Sequence, residues 1–504
     1  MGLSVLTWTR ERSDRDPDES SPARITGADV IRMLRSPRAG RPEHPGFDPA
    51  LLAPMILGAV LNPINSSVIA VSLVPIGAAF GADPSRTAWL VSSLYLATAI
   101  GQPVVGRLID LHGPRRLFLV SMGLTGIAGV AGAMAPSLPV LVVARMLLGF
   151  GTCAGYPAAM HLIRSESHRT GVESPAGVLT ALAVSAQTIA VIGPSLGGLL
   201  IGLGGWRTTL AVNIPLAALG LVLGFLRLPK ETGTRTDRTS VTSLLDFPGM
   251  ALFAGTLVAL LLFLMQPSAS HWYLPVLAVI AGTGFALREL RAANPFIDLR
   301  TLGGNRPLMT TYVRTLLAYV VSYTCLYGYT QWMEQGRGLT ASQAGLALLP
   351  LFGTGIAVSA LTGRRAEVRG KLLVGATFQA LGCAALLLLR PDSAIWFLVA
   401  VAVAFGVSQG LNGLALQNSV YHQADPERVA SSAGLLRTFT YLGAIVSSAA
   451  GGAFLAHGAD TPGVHDLGWF VLVAAVLFFA ITAADRGLAR IGSADEPTGK
   501  VPSS

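Results

Sequence analysis

Three arginines, Arg145, Arg314 and Arg437, stand in stretches of chain that are otherwise apolar. A guanidinium in such a setting needs water, a polar partner or an anionic ligand, because a charge left unpaired away from solvent is costly. Asn65, Ser66, Gln187, Asn412, Tyr312, Tyr323 and Tyr327 also fall in apolar runs. A few polar groups among many apolar and aromatic ones is the make-up of a small-molecule cavity. With three cations and no acid at the same depth, that cavity is expected to favour anionic or neutral polar ligands over lipophilic cations. A competing reading has the arginines bonding Gln187, Asn412, Gln417 and Asn418, or reaching the helix ends with their charged heads. Proton exchange has fewer candidates, Asp110, Glu334 and His161. Trp89, Tyr95, Tyr156, Tyr329, Trp332 and Tyr441 fit interfacial anchors as well as a ligand path.

Enzymatic chemistry finds no support. The chain has no G-x-x-x-x-G-K-[ST] phosphate loop and no nucleophile–base or metal-ligand constellation. Cys153, Cys325 and Cys383 lie inside apolar segments without metal or disulfide spacing. No enzyme activity, metal or organic cofactor is expected.

The elements that must position these residues are set by composition. The 504 residues are 52% hydrophobic and 12% charged, with a mean hydropathy of +0.57, more apolar surface than a water-soluble fold can hide. The net charge of +9 does not point to nucleic acid, because the basic residues fall in short strips between apolar runs. Runs long enough for spanning helices lie near 51–80, 87–106, 116–135, 138–160, 176–203 and 208–227. Two more lie near 247–266 and 272–288, and six follow near 307–333, 342–362, 371–390, 393–420, 430–456 and 466–484.

The predicted fold is therefore an all-α polytopic membrane protein of fourteen spans. Its expected parts are a disordered cytoplasmic tail (1–50), a six-helix half (51–228), two inserted helices with linkers (229–306), a second six-helix half (307–485) and a C-terminal tail (486–504). With its first 50 or so residues polar and arginine-bearing, the chain is not expected to carry a signal peptide. Of the basic residues, 29 fall in the tails and even-numbered loops, four in the odd-numbered loops and three within helices. Lys and Arg mark the cytoplasmic side, so both ends are expected in the cytoplasm of a multi-pass cell-membrane protein. Lipid and a small-molecule substrate are its expected partners, and it is expected to work as a monomer.

An offset of 257 relates the halves. It pairs Gly106, Asp110 and Gly113 with Gly363, Glu367 and Gly370, Gly149 with Gly406, and Ala176-Gly177 with Ala433-Gly434. Duplicated halves are a common transporter plan.

The Gly106 to Arg116 loop, GRLIDLHGPRR, resembles the G-x-L-x-D-r-x-G-r-r signature of the major facilitator superfamily. The resemblance implies a breakable latch of Gly106, Asp110, Gly113, Arg115 and Arg116, repeated at Gly363, Glu367 and Gly370. Arg145 and Gly149 match the family's R-x-x-x-G pattern, where the arginine is associated with proton coupling; an arginine that fixes helix packing through backbone carbonyls is the alternative. Gly193, Pro194, Gly197 and Gly198 look like the antiporter motif that marks exporters. Gly205-Trp206-Arg207 with Asn213-Ile214-Pro215, Asp246 with Gly249, and Pro295 to Arg300 resemble fourteen-spanner drug:proton antiporters.

The implied function is export of drug-like or secondary-metabolite compounds by alternating access with H+ as the coupling ion. A lipid or single-metabolite exporter, or a transport-inactive membrane partner, stands as the alternative. One departure bears on the coupling. The family places an aspartate in the first helix where this chain has Asn65 and Ser66, leaving Arg145, Asp110 and Glu334 as the coupling candidates.

Overall fold

The computed structural model describes residues 47–170, 176–229, 246–265, 269–292, 295, 299–362, 367–424 and 429–490. The expected N-terminal tail up to residue 46, the 230–245 linker and the C-terminal tail beyond Arg490 lie outside the described residues.

The first half runs through α1 (Leu52–Val68), α2 (Leu73–Phe80), α3 (Pro84–His112), α4 (Pro114–Ala133), α5 (Leu138–Thr152), α6 (Gly155–Thr170), α7 (Ala176–Gly204), α8 (Arg207–Ala211) and α9 (Asn213–Arg227). Next come α10 (Phe247–Met265), α11 (Tyr273–Glu289) and the short α12 (Leu299–Gly304). The second half contains α13 (Arg306–Thr324), α14 (Thr330–Gln335), α15 (Ala341–Ala347), α16 (Leu349–Thr362), α17 (Val368–Leu386), α18 (Ile395–Gln423), α19 (Val429–Phe454) and α20 (Thr461–Ala484).

Helices occupy every one of the fourteen apolar runs, and no strand occurs among the described residues. Eight of the helical stretches are, by length and composition, long and apolar enough to cross a membrane. Their outer faces are apolar: α20 exposes Val473, Val476 and Leu477, and α4 exposes Val120 and Ile127. Lipid accepts such a face, whereas water would not.

Chain breaks follow local chemistry. Gly113 turns the chain between α3 and α4 at φ +81°, a conformation that favours glycine. A Cβ on Gly106 would meet nothing within 4 Å, so no close approach requires that glycine. Asp83 caps α3, accepting from the Arg86 amide at 2.9 Å. Between α13 and α14 the helix widens into a π-turn over Cys325–Tyr329, a feature frequent at functional sites.

The duplication is written into the packing. A Cβ on Gly149 would lie 2.5 Å from the Leu94 carbonyl oxygen and 2.7 Å from Ala97 Cβ. A Cβ on Gly406 would meet the Leu351 carbonyl oxygen and lie 2.9 Å from Thr354 Cβ. All three pairs, 149/406, 94/351 and 97/354, are separated by 257 residues, so the offset carries a contact as well as a spelling. Asp246 joins the inserted helices: it accepts from the Gly249 amide at 3.0 Å and from Arg288 Nε at 2.6 Å. Burial alone would raise its pKa. The Gly249 amide and Arg288 outweigh that and hold the carboxyl below its ordinary range.

Candidate functional site

The two halves meet along α3–α19 and α7–α15. Their hydrogen bonds gather toward the end of the bundle that carries Gly81, Gly205 and Gly338. Ser448 Oγ donates to the Ala88 carbonyl at 2.8 Å, Ser342 Oγ to the Gly198 carbonyl at 2.8 Å, and Ser195 Oγ to the Gly345 carbonyl at 3.0 Å. The Gly193–Gly198 segment is the middle layer of this seam. A Cβ on Gly193 would collide with Ser67 Oγ, and one on Gly197 would lie 2.8 Å from Val71 Cγ2, so both glycines let α7 lie on the first helical run. On the other side, a Cβ on Gly198 would stand 2.6 Å from Ser342 Cα. Pro194 presents its carbonyl to Gly345, where a Cβ would be 2.5 Å away. The motif thus fits one helix tightly between its own half and the opposite one.

Behind the seam lies an aromatic belt. Tyr95 and Tyr327 join hydroxyl to hydroxyl at 3.1 Å, and Tyr327 donates to the Ser66 carbonyl at 3.1 Å. Tyr323 stacks on Tyr327 with centroids 5.8 Å apart and meets Tyr95 edge-on at 5.3 Å. Tyr441 extends the belt, 5.6 Å from Tyr95. The sequence singled out Tyr323 and Tyr327 for the cavity; Tyr95 and Tyr441 carried no signal separating them from interfacial anchors.

The three arginines have three different environments. Arg145 is 1% exposed, with Nε donating to the Leu90 carbonyl at 2.9 Å and Nη1 to the Asn65 carbonyl at 3.4 Å. Arg314 is not the unpaired cavity cation expected. It is fully buried and its Nη2 binds Asp485 Oδ2 at 2.6 Å and the Ile481 carbonyl at 3.2 Å. Asp485 follows α20 directly, 171 residues away in sequence, so no local spacing announces the pair. Arg437 alone of the three is exposed, in the third turn of α19, with its guanidinium carbon 4.6 Å above the Tyr156 ring of α6.

Other expected cavity residues turn inward to structural partners. Asn65 and Asn213 exchange a reciprocal amide pair at 2.7 and 2.9 Å, both buried, which accounts for Asn213 without a ligand. Ser66 Oγ is used by the Asn62 carbonyl at 2.7 Å. Tyr312 is buried, donating to the Ser432 carbonyl at 3.0 Å and stacked on Phe439. Asn412 lies in a buried network with Gln379 and Ser408 at 3.1 and 3.0 Å. These are packing positions, because a polar group inside a helix bundle bonds the neighbouring helix when one is within reach.

Of the expected latch, Arg115 donates to the Phe225 carbonyl at 3.0 Å, Arg116 and Glu367 are exposed, and a Gly370 Cβ would lie 2.8 Å from Glu367 Oε1. Gly363 and the side chains of Asp110 and Gln187 lie outside the described residues. Glu334, on α14, is 9% exposed and its Oε1 has no hydrogen-bond partner. The nearby Arg337 is turned away to the Ser393 carbonyl at 3.1 Å. Among the described residues no group of three metal-ligating side chains forms, and the three cysteines are free and buried.

Comparison with known proteins fits this architecture. Residues 55–448 match the family model described as the Major Facilitator Superfamily. The MFS-type transporter YwoD of Bacillus subtilis (strain 168) is 34% identical over 395 residues, covering 78% of this chain and 86% of that one. The tetracenomycin C resistance and export protein of Streptomyces glaucescens is 27% identical, covering 81% of this chain and 76% of that one. Among solved structures, the peptide transporter POT in complex with sulfate superposes with a TM-score of 0.62 at 14% identity, covering 92% of this chain and 100% of that one, a likeness of fold.

Proposed function

The chain belongs to the major facilitator superfamily, and from that premise we propose that it exports drug-like or antibiotic-like small molecules by alternating access with proton antiport. The observation that carries the reading is the α7 seam: Gly193, Pro194, Gly197 and Gly198 sit where the halves close on each other. An export protein for an antibiotic among its relatives supports the direction. With both termini cytoplasmic and fourteen spans, as the basic residues predict, the closed end faces outward and the gap beside Arg437 faces the cytoplasm. The duplicated halves rock about the Tyr95–Tyr327 belt, and the inserted α10 and α11 ride beside them.

Glu334 is the coupling carboxyl in this reading. It lies near the closed end, buried and without a cation against it. An ionised carboxylate is costly there and cheap once the seam opens to water. A proton taken up from the outer side while the seam is open neutralises the carboxyl and permits closure, and its release to the cytoplasm completes the inward proton movement that antiport requires.

The test uses everted membrane vesicles. Energised vesicles should accumulate a transported dye, and collapsing the proton gradient should abolish accumulation. Glu334→Gln should transport no faster than gradient-collapsed vesicles while still exchanging dye for dye. Accumulation that persists without a gradient would exclude proton coupling, and normal gradient-driven transport by Glu334→Gln would exclude this carboxyl.

A further inference from the structure

The geometry points to a subsite for a planar organic anion, an aromatic carboxylate, sulfonate or phenolate, between Arg437 and the tyrosines around it; this deepens the export reading and rests on it.

Arg145 donates to two carbonyls and Arg314 to a carboxylate and a carbonyl, while Arg145 Nη2 and Arg314 Nε and Nη1 keep no hydrogen-bond partner. Arg437 has no carboxylate or carbonyl partner among the described residues, and its hydrogen bond is to the Tyr441 side chain. Its neighbours are three phenols: Tyr156, with the guanidinium carbon 4.6 Å above its ring, and Tyr319 and Tyr441. No carboxylate among the described residues pairs with it. Eight residues separate it from Val429, about 12 Å at 1.5 Å per residue, so it stands well inside the bundle. The residue is nevertheless exposed, and its guanidinium lies over Tyr156 of the opposite half, at the boundary between the halves. A cation at that depth with phenols and no carboxylate around it is poised for an anion.

Shape follows from the same residues. A guanidinium presents its donors in one plane and grips a carboxylate or sulfonate bidentately. Its lipophilic face already lies on the Tyr156 ring, and Tyr319 and Tyr323 flank the space with rings centred 6.0 Å apart. A flat aromatic body can stack against these rings while its acid group meets Arg437. A lipophilic cation would receive the same stacking and suffer the repulsion. Tyr156 comes from the first half and Arg437, Tyr319 and Tyr441 from the second. A ligand held here therefore bridges the two bodies that alternating access must move, so its binding energy biases their equilibrium.

The experiment measures binding to the full-length, detergent-purified protein, without vesicles or a gradient, so export and the subsite can fail separately. Fluorescein and rhodamine 123 share a xanthene skeleton and differ in charge sign, which makes them a matched pair for fluorescence anisotropy at about pH 8. The expected result is fluorescein binding at least roughly tenfold tighter than rhodamine 123, the size of one charge-assisted contact. Arg437→Gln should weaken fluorescein by roughly tenfold or more and leave rhodamine 123 within about twofold. Arg437→Lys should recover part of the loss, and Tyr156→Leu should weaken both dyes. Wild-type protein supplies a test independent of any variant's folding: 1-naphthoate should displace fluorescein and 1-naphthylmethylammonium should not. Equal affinity for the two dyes, binding of neither, displacement by both naphthyl compounds, or an equal loss of both dyes in Arg437→Gln would each overturn the subsite.

Discussion

Gly198→Leu is expected to abolish most transport while leaving the protein in the membrane at near-normal amounts. The added Cβ alone would stand 2.6 Å from Ser342 Cα and 2.8 Å from the Ala341 carbonyl oxygen, backbone atoms that cannot swing aside. Two serine hydrogen bonds flank this contact, from Ser342 to Gly198 and from Ser195 to Gly345, and both require the backbones to stay close. Overpacking of this kind costs about 1–3 kcal/mol, which moves a two-state equilibrium roughly 5- to 150-fold toward the open seam. Each half keeps its own core, so folding is affected less than closure. Gly345→Val should act likewise from the other side. Gly123→Leu is the matched control, since a Cβ there meets nothing within 4 Å. Initial rates in energised everted vesicles, normalised to protein by immunoblot, decide the matter. Equal losses in Gly198→Leu and Gly123→Leu would show that the seam is not what glycine protects.

Arg145→Met is expected to be the most destabilising single substitution of a buried side chain in the first half. Arg145 ties α5 to α3 through the Leu90 carbonyl and to α1 through the Asn65 carbonyl. Hydrogen bonds to a charged group contribute about 1.5–3 kcal/mol each, so losing both approaches a third of the stability of many domains. Asn65 is also held by the amide pair with Asn213, so the loss propagates to α9. Met matches the length of the chain without its donors. Arg145→Lys keeps the charge but not the two-directional fork and should fall between. The readout is the thermal midpoint of the purified protein by size-exclusion after heating. An unchanged midpoint in Arg145→Met, with proton-driven transport lost, would move Arg145 from packing to coupling.

The seam and the belt were unequally visible beforehand. Gly193, Pro194, Gly197 and Gly198 announce a close helix approach by their types and spacing, because small residues have few other reasons to recur on one helix face. Which helices approach was not written there. The same glycine segment serves α1 on one side and α15 on the other, and the second partner lies 144 residues away at Ser342. The cavity is the part least legible in the sequence. Asn65, Asn412, Tyr312 and Arg314 have the polarity of ligand-binding groups, yet each bonds a neighbouring segment, with Asn412 Oδ1 and Arg314 Nε and Nη1 left without a partner.

By itself the sequence determined the membrane as solvent, the helical runs, the 257-residue duplication and the small-residue face of α7. These depend on composition and period along one chain, quantities that a bilayer reads locally because every helix must satisfy its own backbone and present an apolar side. Only the tertiary structure decided which arginine remains available to a ligand. Arg145, Arg314 and Arg437 are chemically identical and sit in similar apolar runs, and the difference lies in what folding brings to them: two carbonyls, the Asp485 carboxylate, or three tyrosine rings. A guanidinium is satisfied by whichever acceptor comes within about 3 Å, and that distance is a property of packed helices.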